Sequence, residues 1–355
     1  MLIIFFKTGV LIIFKALLTL ILHKQNPMTS FRSINKNGIY ENLSQTPDLA
    51  EGVSYWSVIK KSLKRPKNVR PSYTLPSVKT DLKKLFSETP TIIWFGHSSY
   101  LIHIAGKNIL VDPVLSGYAS PIPTMVKAFD GSDVYKPEDM PPIDVLVITH
   151  NHYDHMDKCC IEKLLPAAGI VLTTLNNRKF FPKECQSKIK ELDWWQSLSP
   201  LPELNFTATP ARHFSGRGLK RNQSLWTSFV LEWNHYKIFI GGDSGYDKHF
   251  KEIGKCFGPF DLAILECGQY DYYWPYIHSF PEEVIQEVIE LKAKELLPVH
   301  WSKFALANHP WNEPIESVTA IAHEKNIRVA TPQIGEPYLL GKEQNFSQWW
   351  KANVS

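Results

Sequence analysis

Between positions 149 and 155 the chain reads THNHYDH, which puts His150, His152, Asp154 and His155 within six residues. Neutral imidazole and carboxylate are ligands that borderline divalent metals such as Zn2+ accept. The preceding run, VLVI at 145–148, has the composition of a buried strand, so the ligand-type side chains begin where a strand ends. Successive strand residues face opposite ways. His150 and His152 would therefore point together if the extended conformation persisted, and the following turn would bring Asp154 and His155 round. Such a set can give arms to two adjacent ions. A polar turn with core histidines is the plainer reading of one such residue; three histidines and an aspartate at this spacing favour a metal.

Three further candidates stand at the ends of expected strands: His213 in ATPARHF, Asp243 in YKIFIGGD and His300 in ELLPVH. Each alone has a plain account, as a loop histidine, a turn-capping aspartate or a core histidine. Together they supply the ligands the first cluster lacks. Glycines at 241, 242 and 245 would let backbone pass close to a metal.

These residues need a scaffold. Short β-branched and aromatic runs predict strands at 91–95, 107–111, 144–149, 169–173, 205–209, 225–233, 236–240, 261–266 and 295–299. Helical patterns fall at 155–165, 247–256, 281–292 and 314–323, the third opening on Pro281, Glu282 and Glu283 as a helix start should. Strand pairs early and helix-separated strands later predict an α/β protein, sheets packed on each other with helices outside. With 355 residues, 44% hydrophobic and 21% charged, the chain can bury a large core, which excludes wholesale disorder. A net charge of +4 makes no case for nucleic acid. Five scattered cysteines give neither a disulfide framework nor a thiolate zinc site.

Residues 1–24 form an expected membrane-associating helix. The stretch is long and greasy enough to span, but Lys7 and Lys15 interrupt it, and Thr8, Lys15, Thr19 and His23 share one stripe, which suits an interfacial helix as well. A start at Met28 is the plain alternative. Residues 25–90 read as a linker and wrapping arm, and 91–345 as the catalytic domain. Lys60, Lys61, Lys64, Arg65, Lys67 and Arg70 form an acid-free cluster, read either as a headgroup contact or as a solvated linker.

The order HxHxDH, a distant His, GGDSGY and a late His resembles the metallo-β-lactamase fold, a four-layer αββα sandwich with a dinuclear metal site at one sheet edge. THNHYDH, PARHFS, GGDSGY, FGPFDLAIL and VHWSKFALA are similar to the branch containing N-acylphosphatidylethanolamine-hydrolysing phospholipase D. The resemblance covers about residues 90–340. It implies that His150, His152 and His213 hold one Zn2+, that Asp154, His155 and His300 hold a second, and that Asp243 bridges them. Asp154 would also orient the nucleophile. His97 matches another position typical of the family, as support for a ligand. Two such ions ~3.5–4 Å apart acidify a shared water and clamp the substrate oxygen. Because ligand histidines must be neutral, activity should fall below the ~6.5 of free imidazole.

His278, in WPYIHSFPEE, is the candidate for catalysis without metal ligation, donating to a phosphate oxygen or protonating a leaving alkoxide. A helix-entry histidine without chemistry is the alternative. Ile277 departs from the glutamine expected in animal members of the branch. Tyr273 and Trp274 are candidate substrate contacts within an aromatic set that includes Tyr270, Tyr272, Tyr276, Trp301, Phe304 and Trp311. If several of these are exposed, they would form an acyl-chain groove; core packing is the commoner fate. The expected activity is that of a zinc phospholipase D, giving N-acylethanolamine and phosphatidic acid. A lactonase, a nuclease and a non-catalytic membrane scaffold are the alternatives. Expected partners are a phospholipid substrate and the cytoplasmic face of a membrane, reached through residues 1–24 and 60–70. No nucleic acid is expected, and a homodimer is left open.

Overall fold

The computed structural model describes residues 32–122, 125–217 and 220–351. The helix expected at 1–24 lies outside them, and among the described residues no helix is long and apolar enough to cross a membrane. A hairpin, β1 (Ile34–Lys36) and β2 (Ile39–Glu41), and helix α1 (Tyr55–Leu63) precede the two sheets.

The first sheet contains β3 (Thr91–Trp94), β4 (Tyr100–Ile104), β5 (Lys107–Val111), β6 (Ile143–Val147), β7 (Ala168–Thr174) and β8 (Ile189–Leu192), with β16 (Pro337–Leu339) on the edge beside β3. The second contains β9 (Ser197–Leu201), β10 (Leu204–Thr209), β11 (Ser228–Trp233), β12 (Tyr236–Ile240), β13 (Leu262–Glu266), β14 (Glu295–Val299) and β15 (Arg328–Val329) in sequence order. Each sheet runs as three antiparallel pairings followed by three parallel ones. Parallel pairs need crossovers, and most of the helices occupy them. They are α2 (Lys158–Leu164) against the first sheet, then α3 (His249–Cys256), α4 (Pro281–Leu291) and α5 (Glu313–Glu324) against the second.

Strand alternation sorts the layers. Ile92, Trp94, Ile109, Val111, Val145 and Val147 join the core shared with the second sheet. Their neighbours Ile93, Leu110 and Leu146 turn away and pack with Cys160, Ile161 and Leu164 of α2. Sheets buried on both faces read as unbroken apolar runs, which is why 145–148 shows no alternation. Trp301 stacks between Trp94 at 5.5 Å and Trp349 at 5.1 Å, so the chain beyond residue 345 also enters this core. Trp301, Phe304, Trp311 and Tyr270 are buried, which removes them from any acyl-chain groove; Tyr272 is exposed, and Tyr273, Trp274 and Tyr276 are half-buried.

Half of the basic residues of the 60–70 stretch are held by the protein itself. Lys61 pairs with Asp271 at 2.6 Å and lies over the Tyr273 ring. Arg65 donates to Asn308 Oδ1, and Arg70 donates to the carbonyls of Lys127 and Ala128. Lys60, Lys64 and Lys67 remain exposed. Among the described residues all five cysteines are free thiols.

Candidate metal centre

Seven strands end at one place. Those of the first sheet deliver His97 after β3, Asp112 after β5 and the 150–155 cluster after β6. Those of the second deliver His213 after β10, Asp243 after β12, Glu266 at the end of β13 and His300 after β14. Sites at the carboxyl ends of parallel strands are the usual outcome of such topology.

The seven expected metal ligands meet here. His150, His152, His213 and Asp243 bring ligand atoms within 4.8 Å of one another, as do His97, Asp154, His155 and His300. In the first group His152 Nδ1 lies 2.9 Å from His150 Nε2 and 3.2 Å from His213 Nε2. In the second, Asp154 Oδ2 lies 3.4 Å from His300 Nε2. Asp243 faces both groups: Oδ1 is 3.1 Å from His155 Nε2, while Oδ2 is 3.2 Å from His300 Nε2, 3.6 Å from His213 Nε2 and 3.8 Å from His150 Nε2. That is the position of a shared ligand.

Backbone geometry supports this convergence. His97, Asp112 and His300 all have positive φ, at 52°, 41° and 67°. Left-handed backbone costs a non-glycine residue roughly 1–3 kcal/mol and tends to persist where the surroundings impose it. Here His300 N donates to His97 O at 2.9 Å and His97 N donates to Trp301 O at 3.0 Å, clamping two strand ends from different sheets together. Gly242 has φ +63° and sits against Thr149, and a Cβ on Gly245 would lie 2.0 Å from Tyr276 O. Gly245 therefore gives room to the segment leading to His278, a different service from the close approach to a metal that the sequence implied.

Two carboxylates stand behind the histidines, and one histidine stands behind Asp154. Asp112 accepts from His155 Nδ1 at 2.8 Å and from Thr149 N and Oγ1. Glu266 Oε2 lies 2.6 Å from His278 Nδ1 and 3.2 Å from His300 Nδ1, while Oε1 accepts from Ser244 N. Asp154 Oδ2 lies 2.9 Å from His97 Nε2, which makes His97 the partner of a candidate ligand. A metal-binding histidine needs its second nitrogen held in this way. Sequence reasoning missed Asp112 and Glu266. Each is a single acid at a strand end, and the only available signal was an acid where an apolar run stops.

The electrostatics is that of a cation cage. Burial, aided by neighbouring imidazoles, holds His150 and His152 well below the ordinary histidine value, and burial takes His213 down to about 4. Burial would lower His155 and His300 too, but Asp243 and the other carboxylates around them prevail, raising His155 to about 10 and His300 well up. Burial works against the charged forms of Asp154 and Asp243, yet the histidines opposite keep both well below the usual carboxylate range. His155 Nε2 and Asp243 Oδ1 are buried without a hydrogen bond although they face each other. Orphaned donors of the right chemistry, aimed inward, fit divalent cations.

The expected catalytic residue His278 lies beside this centre, its ring 5.1 Å from those of His213 and His300. His213 Nδ1 donates to the carbonyl of the adjacent Ile277 at 2.8 Å. Tyr273 and Trp274 stand five and four residues before His278; Trp274 Nε1 donates to Gln269 O.

Two antiparallel-then-parallel sheets with a histidine–aspartate centre at their joint edge define a metallo-hydrolase. Residues 107–301, more than half of the chain, match the Beta-lactamase superfamily domain, and the chain belongs to that family. An uncharacterized protein of Mycobacterium tuberculosis is 36% identical over 298 residues, 79% of this chain and 77% of its own. The mitochondrial N-acyl-phosphatidylethanolamine-hydrolyzing phospholipase D of Saccharomyces cerevisiae is 31% identical over 268 residues, 68% of this chain and 54% of its own. Among solved structures, a metallo hydrolase from Ignicoccus hospitalis aligns with a TM-score of 0.53 at 18% identity, over 72% of this chain and all of that one.

Proposed function

We propose that the protein is a dizinc phospholipase D acting on N-acylphosphatidylethanolamine-like lipids. The observation that carries this is a cage of seven ligand-type side chains with one further histidine, His278, beside it, outside the seven expected ligands although its ligand atom also groups with Asp243, Glu266 and His300. The yeast relative's name supports the choice of substrate.

His150, His152 and His213 would hold one ion and Asp154, His155 and His300 the other, with Asp243 shared. Bound there, two divalent ions would polarise the phosphoryl group and acidify a water. Asp154 would orient that water, and His278 would hold a phosphoryl oxygen or pass a proton to the departing oxygen. The P–O bond to the amide-bearing alcohol breaks and water oxygen bonds to phosphorus. A water proton ends on the alcohol, giving N-acylethanolamine and phosphatidic acid. Tyr273 and Trp274 would line the approach.

Lipid access would come through α1. Trp56, Ile59 and Leu63 fall at helical spacing, Trp56 and Leu63 are 79% and 83% exposed, and the helix buries none of its residues. Exposed Lys60, Lys64 and Lys67 beside this stripe suit anionic headgroups, on the cytoplasmic face of a membrane. The test is incubation of zinc-loaded protein with vesicles containing N-acylphosphatidylethanolamine, and mass spectrometry for both products. Release of neither would refute the substrate. Turnover of a lactone without turnover of the phosphodiester would put a lactonase in its place.

A further inference from the structure

We propose that Glu266 is a positioning residue, fixing the ring of His278 so that Nε2 is the nitrogen offered to substrate. The inference rests on the reading of His278 as the group that passes a proton to the departing oxygen.

Glu266 is buried at the end of β13 and faces donors on three sides. Its Oε1 is occupied by Ser244 N, so Oε2 alone serves both imidazoles, with the shorter contact going to His278 at 2.6 Å. A carboxylate can only accept, so His278 must carry its proton on Nδ1. Nε2 is then the lone-pair nitrogen, free to take a proton from water and hand it to the departing oxygen. The same oxygen supports His300 through Nδ1, leaving His300 Nε2 turned toward Asp154 and Asp243. One side chain thus registers a candidate metal ligand and a candidate substrate contact against each other. Two features hold His278 within its reach. His213 Nδ1 grips Ile277 O, and Gly245 lets the Tyr276 backbone close in.

An amide cannot reproduce this. In Glu266→Gln one end becomes an N–H donor, facing either Ser244 N–H or two imidazole nitrogens. The latter arrangement forces His278 to accept on Nδ1 and carry its proton on Nε2.

Nitrogen-15 NMR of the zinc-loaded protein, with the His278 signal assigned by its loss in His278→Ala, reads the tautomer without any substrate. The expected wild-type result is a proton on Nδ1; a proton on Nε2 overturns the proposal. On N-acylphosphatidylethanolamine vesicles at saturating zinc, Glu266→Gln should lower kcat about 10–100-fold with KM within about twofold, and its zinc affinity should fall as well because His300 loses the same acceptor. The double variant with His278→Ala should be no slower than His278→Ala alone. Zinc lost in His278→Ala, or effects that multiply in the double, would overturn it. If wild-type protein turned over no phosphodiester, the substrate assignment would fall while the tautomer measurement still decided the role of Glu266.

Discussion

His150 and His155 have ring centroids 4.2 Å apart and are driven in opposite directions, the first well below the usual histidine value and the second up to about 10. The difference lies in the neighbours. His150 is buried among imidazoles, whereas His155 faces Asp243, Asp154 and Asp112. The sign for metal binding follows. His150, His152 and His213 are already neutral at pH 7, but His155 and His300 hold protons that a cation must displace. Zinc affinity should therefore rise with pH through the neutral range by up to about two decades per unit, one per proton. Titration calorimetry in buffers of different ionisation enthalpy would count those protons; none released would contradict the charge assignment. Asp243→Asn should nearly abolish turnover and leave one ion or none, by elemental analysis. Asp112→Ala should lower metal affinity about 10–100-fold, because His155 loses the acceptor that holds its ring. The seven candidate ligands, which the fold brings together, could be picked out of the sequence because few residue types bind divalent metals and four of them lie within six residues. Asp112 and Glu266 were not, because their partners lie 43 and 12 or more residues away.

Strands that end at the site were the easiest elements to read, since each is an apolar run closed by a chemical side chain. Expected β5, β6, β10, β12, β13 and β14 correspond closely to the observed strands. Edge strands were harder to see. β9 carries Pro200, β15 is two residues long and β8 mixes Lys190 and Glu191 with two apolar residues, so none carries a run long enough to register. The strand expected at 225–233 begins instead at Ser228. Leu225 and Trp226 are buried, but as part of a separate cluster with Tyr40 and Trp194, so their hydrophobicity serves the arm. The helix expected at 155–165 starts at Lys158 because Asp157 accepts from Cys160 N and caps it, freeing His155 for the centre. At this scale Gly245→Ala should disturb His278 through Tyr276, lowering kcat while zinc stays bound; unchanged kinetics would show the segment free to move aside. Trp56→Ser with Leu63→Ser should weaken sedimentation with anionic vesicles while leaving hydrolysis of detergent-dispersed substrate intact. Equal loss in both assays would count against α1 as the lipid contact.

Across the whole molecule, stability and function share one seam. The candidate ligands come from both sheets, so a bound ion is a contact between them, and zinc at a hundred times its Kd would add about 2.7 kcal/mol per independent site. Chelation should accordingly lower Tm, and scanning calorimetry with and without chelator would detect it. A second buried group acts in the fold without touching the centre. Glu287 on α4 is pushed well above the usual carboxylate value by burial, with Ser279 Oγ beside it, and Ser279 Oγ also donates to Ser244 O. A carboxyl with a raised folded pKa contributes fully below its unfolded value of ~4.5, and that stability is lost as pH climbs toward the folded one. Glu287→Gln keeps a donor toward Ser279 and should flatten this slope, with equal or higher Tm at pH 7. A lower Tm would mean that the charged form is the native one. The layered architecture was readable from the alternation of apolar runs with helices; which sheet each strand joins was not, since register depends on residues distant along the chain.

The paired left-handed bends at His97 and His300 fasten one half of the sandwich to the other at the spot where the cations would sit. A solvent condition that strips such cations should loosen the fastening. If the ion is zinc, a cell short of it should lose the protein as well as its catalysis, the amount of folded enzyme following the local supply.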